Sequence, residues 1–130
     1  MNYIIYTDGA CRGNPGPSGA GGVIFDSSGQ VVAEISEYLG IATNNVAEYQ
    51  ALRLTLKRAI LLEIKNVSVF MDSKLVVEQM LGNWQIKNNV LSEIHQQITD
   101  LIGNFDTISF THIYRHLNTH ADRLANQAIP

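Results

Sequence analysis

Asn2-Tyr3-Ile4-Ile5-Tyr6-Thr7-Asp8 runs directly into Gly9-Ala10-Cys11-Arg12-Gly13-Asn14-Pro15-Gly16. The first seven residues are mostly β-branched or aromatic, so they read as a strand that ends on an acid and stops at a glycine. Gly9 to Gly22 is the only stretch dense in glycine and proline, and it lies too near the N-terminus to divide two domains. Working outward, Gly19 to Asp26 and Val31 to Leu39 read as two further strands, with Ser27-Ser28-Gly29 supplying turn chemistry between them. Asn44 to Glu63 holds no Gly or Pro and is rich in Ala, Leu, Glu and Lys, which predicts a long helix. Val67 to Met71 has strand length, and Ser73 to Leu81 reads as a helix that Gly82 ends. Leu91, Ile94, Ile98 and Leu101 recur at helical spacing behind a cap at Asn88 or Asn89. Thr107 to Ile113 returns to strand character, and Asn118 to Ile129 closes as a helix. The order β-β-β-α-β-α-α-β-α implies an α/β fold, with a mixed sheet flanked by helices.

A chain of 130 residues suits one domain, residues 1–130, and its 45% apolar and 16% charged composition is that of a globular protein. A single cysteine excludes an internal disulfide framework and an all-cysteine zinc site, and fits a reducing compartment. Apolar runs such as Ala59 to Leu62 fall far short of the ~20 residues of a membrane span. Met1-Asn2 leads into the first strand with no basic n-region, so no signal peptide is expected and a cytoplasmic location is. The net charge of −3 argues at first against a nucleic-acid partner. With four acids set aside as metal ligands, nine cations face eight remaining acids, a net of +1. Placement of the acids therefore matters more than their number.

Asp8 and Asp72 each fall at the C-terminal end of a strand, where ligands and catalytic groups gather in open α/β sheets. Taken alone, a turn preference accounts for Asp8 and a helix-capping role for Asp72. Glu48 shares a helix face with Leu52, Thr55 and Ala59, a small and apolar face expected to meet the sheet. A lone carboxylate there costs several kcal/mol unless it is paired or bound to a cation. A charge in the first helical turn gains only ~0.3–1 kcal/mol, so partial exposure or a metal is required. Asp122, near the start of the last helix, is accounted for singly by the same dipole effect. Two strand ends and two helix starts that converged would bring four repelling carboxylates together, a site for hard divalent cations. Oxygen-only ligation favours Mg²⁺ or Mn²⁺ over zinc.

With these acids in their sequence context, the chain resembles the ribonuclease H family, type 1. The matching pieces are Tyr6 to Gly16, Thr43-Asn44-Asn45-Val46-Ala47-Glu48, Met71-Asp72-Ser73 and Asn118-Thr119-His120-Ala121-Asp122. They occur in the family's order and spacing and span almost the whole chain; each alone is weak, but the combination is specific. The resemblance implies a five-stranded mixed sheet of order 3-2-1-4-5 flanked by helices. It further implies an endonuclease that hydrolyses the RNA strand of RNA–DNA hybrids, leaving 5′-phosphate and 3′-hydroxyl ends. Asp8 would bridge two Mg²⁺ ions, with Mn²⁺ as a substitute. Asp122 would help hold the ion that activates water, and Glu48 and Asp72 the ion facing the leaving 3′-oxygen. No side-chain nucleophile is needed, so Cys11 is expected to be a small buried residue. The resemblance also assigns hybrid contacts to Gly9, Cys11, Arg12, Gly13, Asn14, Asn44 and Asn45, with Glu48 touching a 2′-hydroxyl. Asn44 is read equally as the cap of the long helix. Thr43 resembles the residue lining the family's DNA-phosphate pocket.

Two departures from the family pattern bear on affinity. Leu81 to Asn88 is short and holds one lysine, where many type 1 enzymes carry a basic, Trp-rich protrusion, so phosphate contacts are reduced. Trp84 is expected in the core, and Lys87 is the phosphate candidate. Thr111 to Asn118 leaves no room for the family's long histidine loop and resembles its short-loop subgroup. Arg115 is placed to meet phosphate, and His116 or His120 to assist. His95 and His112 read as ordinary side chains. Lys74 stands where the family often has a sugar-contacting Gln, and its ammonium suits phosphate. Beside the hybrid-cutting enzyme stand two alternatives. One is a weakly active or inactive nucleic-acid-binding module; the other is a same-fold nuclease of relaxed specificity that includes double-stranded RNA. Neither a membrane nor a protein partner is evident in the residues.

Overall fold

A computed structural model describes residues 1–130. Strands β1 (Tyr3–Cys11), β2 (Gly16–Phe25) and β3 (Val31–Ala42) lead to helix α1 (Asn44–Leu61). β4 (Asn66–Met71), α2 (Lys74–Met80), α3 (Asn89–Ile102) and β5 (Thr107–His112) follow. A 3-10 turn at Arg115–Leu117 leads into α4 (Thr119–Gln127). The five strands form one sheet of order β3-β2-β1-β4-β5. β1 pairs antiparallel with β2 and parallel with β4, and β4 pairs parallel with β5. The sheet is mixed, as the element order implies.

Glycines on β2 show how the layers are made. A Cβ on Gly22 would lie 1.9 Å from Thr55 Oγ1 of α1, whereas one on Gly21 would lie 2.2 Å from the Ala121 carbonyl oxygen of α4. Adjacent strand residues face opposite sides, so α1 and α4 sandwich the sheet. On the α1 side, Ile5, Ile24, Val67, Val69 and Met71 from the sheet meet Leu52 and Leu56 of α1 and Ile94 and Ile98 of α3 in one buried cluster. α1 is buried on more than one side, which accommodates Tyr49 as well as Leu52. The spacing expected of α3 holds: Leu91, Ile94 and Ile98 are buried and Leu101 is half-buried. Its cap is Asn88, whose side chain accepts from the Leu91 N–H at 3.0 Å.

Two expectations about packing fail. Trp84 is 44% exposed, because the segment after α2 turns outward; Gln79 Nε2 holds it by donating to the Gln85 carbonyl at 3.0 Å, and no element covers the indole. Cys11 is half-buried rather than buried, since β1 carries it past the edge of α1 to the mouth of a cleft.

Candidate active site

Four different elements deliver the acids. Thr7 pairs with Met71 across the parallel β1/β4 ladder, so Asp8 and Asp72, the next residues on each, stand side by side. β1 runs on to Cys11, so Asp8 lies within the strand, paired with Gly21 of β2, and not at its end as the sequence suggests. Asp72 does not cap α2; Ser73 does, its hydroxyl accepting from the Val76 N–H at 3.3 Å. α1 crosses directly over Gly9, where a Cβ would lie 2.5 Å from the Glu48 nitrogen. Only glycine permits that approach, and it lets the Gly9 N–H donate to Glu48 Oε1 at 2.5 Å. Glu48 is the fifth residue of α1, beyond the first turn, so its burial cannot rest on the helix dipole. On the other face, Asn118 donates from Nδ2 to the Thr7 carbonyl at 2.9 Å and so ties the start of α4 to the residue before Asp8. Asp122 then stands in the first turn of α4.

Carboxylate oxygens of Asp8, Glu48 and Asp72 all lie within 4.8 Å of one another. Asp122 lies outside that group and is exposed, yet it is close enough to help raise the proton affinity of Asp8. Burial is the main cause of that rise, followed by the Glu48 and Asp72 charges. Glu48 is also pushed up, chiefly by burial; the Asp8 carboxyl, the Gly9 N–H and the Arg115 charge act against the rise. With no cation bound, Asp8 and Glu48 therefore share protons rather than carry two full charges. Glu48 Oε2 and Asp72 Oδ2 are buried without any hydrogen-bond partner. Buried orphan acceptors in an all-oxygen set fit a hard divalent cation.

The surrounding cleft encloses about 540 Å³ and includes Gly9, Ala10, Cys11, Asn44, Asn45, Ser73, Arg115 and Asn126 beside the four acids. Arg115 is the only cation lining it. Asn44 is not the cap of α1: Thr43 Oγ1 accepts from the Val46 N–H at 3.3 Å, and the Asn44 N–H donates to Asn14 Oδ1 at 3.0 Å. That bond joins the glycine-rich loop to the start of α1 and leaves the Asn44 side chain to the cleft. Arg12, Gly13, Asn14, Thr43, Lys74 and Lys87 are exposed outside the cleft lining. His116 stacks on Tyr114, with ring centroids 6.2 Å apart. His120 turns away from the acids, its Nε2 lying 2.6 Å from Glu34 Oε2. Asn126 was missed in the sequence, although its position four residues after Asp122 on a helix marks it as a neighbour.

The chain matches the family described as reverse transcriptase-like over residues 6–128. It is 45% identical over 130 residues to the Bifunctional protein Rv2228c of Mycobacterium tuberculosis, covering 99% of this chain and 36% of the relative. It thus spans about a third of the length of that relative. A crystal structure of RNase H1 from Halobacterium salinarum superposes with a TM-score of 0.95 at 39% identity, covering 98% of this chain and 97% of the other. LC11-RNase H1, isolated from compost and solved in complex with an RNA/DNA hybrid, gives 0.92 at 42% identity, with 98% and 96% covered.

Proposed function

The chain belongs to the ribonuclease H family, and from that membership we propose that it is a metal-dependent endonuclease hydrolysing the RNA strand of RNA–DNA hybrids. Products carry 5′-phosphate and 3′-hydroxyl ends. The observation that carries this reading is the convergence of Asp8, Glu48 and Asp72 within 4.8 Å, with buried oxygens left unpartnered. Asp8, at the centre, would hold both of two Mg²⁺ ions, with Mn²⁺ as a substitute; Glu48 and Asp72 would complete one position and Asp122 the other. When bound, such a pair supplies Lewis-acid stabilisation of the entering and leaving oxygens of an in-line phosphodiester displacement.

The protein's own groups do the rest. The Gly9 N–H orients Glu48 by holding Oε1, which leaves Oε2 for ligation. Arg115 presents a guanidinium whose planar fork suits a phosphate. Asn44 and Asn45 offer carboxamides to 2′-hydroxyls, the groups that distinguish RNA from DNA. Gly9 and Cys11 line the same cleft; Arg12, Gly13, Asn14 and Thr43, exposed beside it, would contact the hybrid, and Lys74 and Lys87 would meet phosphates outside it. Exposed Trp84 and the single lysine of the short 82–88 segment leave a sparse electrostatic footprint, so affinity depends on the cleft itself. No helix is long and apolar enough to cross a membrane. A cytoplasmic site of action belongs to the proposal, in keeping with one free cysteine.

Purified protein with Mg²⁺ or Mn²⁺ should cleave the labelled RNA strand of a hybrid and leave the DNA strand intact. Duplex RNA, duplex DNA and single-stranded RNA run in parallel test specificity, and an uncut hybrid with both metals refutes the reading.

A further inference from the structure

Asp122 is the outlying member of the four acids: it is exposed where Asp8 and Glu48 are buried, and it stands apart from the 4.8 Å group. The side chain that donates to it lies one turn further along α4. Asn126 Nδ2 donates to the Asp122 carbonyl at 2.9 Å and reaches Asp122 Oδ1 at 3.3 Å. Both partners are acceptors, which places the amide nitrogen on that side. Asn126 also lines the acid cleft. Its main-chain oxygen lies 3.4 Å from Arg12 Nη2, while Arg12 Nη1 reaches the Pro130 oxygen at 3.5 Å. Arg12 thereby ties the glycine-rich loop to the C-terminal end of α4, where free carbonyls favour a cation.

We propose that Asn126 is a positioning residue for Asp122, holding its carboxylate in the orientation that serves a divalent cation shared with Asp8. This inference deepens the metal-dependent reading above and rests on it. An exposed aspartate in a first helical turn has several rotamers open to it. A donor bond to Oδ1 selects one of them and fixes the carboxylate plane, leaving Oδ2 free to ligate. Removing such an outer partner of a metal ligand typically costs about 10–100-fold in metal affinity or activity. Asn126 is exposed, so replacing it opens no cavity in the core.

Calorimetric titration of the full chain with Mn²⁺, without nucleic acid, tests this directly. Asn126→Ala should weaken binding about tenfold while the thermal midpoint in EDTA stays that of the wild type. Asn126→Asp keeps the shape but replaces the donor with an acceptor, and it should weaken binding at least as much. With hybrid present, Asn126→Ala should lose kcat at limiting Mn²⁺ and regain it at saturating Mn²⁺, with KM for the hybrid unchanged. Alanine binding Mn²⁺ within twofold of wild type, or aspartate binding it more tightly, overturns the positioning role alone. A wild-type protein that takes up no Mn²⁺ overturns the metal site and this inference with it.

Discussion

Two hollows begin two residues apart on β1. One, of about 540 Å³, gathers Asp8, Glu48, Asp72, Asp122 and Arg115. The other, of about 370 Å³, is walled by Ile4, Tyr6, Phe25 and Leu117, with His120 at its rim. Apolar walls with a few polar groups are the usual mark of a small-molecule site. By that mark the second hollow is the better pocket, yet it holds no carboxylate: its polar side chains are Tyr6, Asn118, Thr119 and His120. His120 faces Glu34, and Tyr6 packs on Phe70 and Phe25 with ring centroids 5.3 Å and 5.9 Å apart. In the first hollow, buried carboxylate oxygens are left unpaired at a cost to stability. Unsatisfied buried charge, rather than a greasy lining, distinguishes the cleft suited to chemistry.

The strongest challenge to that contrast is paired substitution. Asp8→Asn should lower hybrid cleavage by about 10³-fold or more, ~4 kcal/mol of transition-state stabilisation. Phe25→Leu, in the other hollow, should leave the rate within about twofold. Equal losses in a cleavage assay would erase the distinction.

Gly21→Ala probes the helix that borders both hollows. The added methyl would sit 2.2 Å from the Ala121 carbonyl oxygen, so α4 must shift or the protein lose about 3 kcal/mol, and Asp122 moves with α4. Urea unfolding and cleavage should therefore fall together in this variant. Tyr6→Ala should separate them. It should cost about 2–3 kcal/mol through lost aromatic packing, while the folded fraction keeps its kcat.

A pH series tests the raised proton affinity of the acid cleft. Asp8 and Glu48 bind protons more tightly in the folded state than their ordinary carboxylate values allow. Above about pH 4 the folded state therefore holds extra protons, and stability falls as pH rises towards the raised folded values. In EDTA the wild type should lose stability between about pH 4 and pH 8. Asp8→Asn should flatten that slope and be more stable at neutral pH by ~1–2 kcal/mol, measured by thermal unfolding. A wild type that gains stability with rising pH over that range would contradict the proton sharing. The smallest effect is expected at Lys87→Ala, which should reduce the salt dependence of hybrid binding by about one counterion, seen as a shallower log–log slope.

Much of this could be read before any coordinates. The absence of Gly and Pro between Asn44 and Glu63 marked α1 to within two residues, and the spacing of Leu91, Ile94 and Ile98 marked the buried face of α3. Local chemistry governs such elements, so local sequence reports them. Trp84 was misjudged because whether an indole is covered depends on what lies across from it, and the short 82–88 segment has nothing there. His120 was expected to assist at the site, but its ring is held 2.6 Å from Glu34 Oε2, a partner 86 residues away that its own segment does not announce. Asn44 was balanced between capping and the cleft until Thr43 proved to be the cap.

The sequence by itself determined the order of elements, the family and the identity of the acids, because these rest on local propensity and on motifs a few residues long. Only the tertiary structure decided that α1 crosses Gly9 closely enough to bury Glu48 and that the β1/β4 register sets Asp8 beside Asp72. Those relations join residues up to 64 positions apart in Asp8 and Asp72. Distances of that kind are set by how helices and strands pack, which no single stretch of chain encodes.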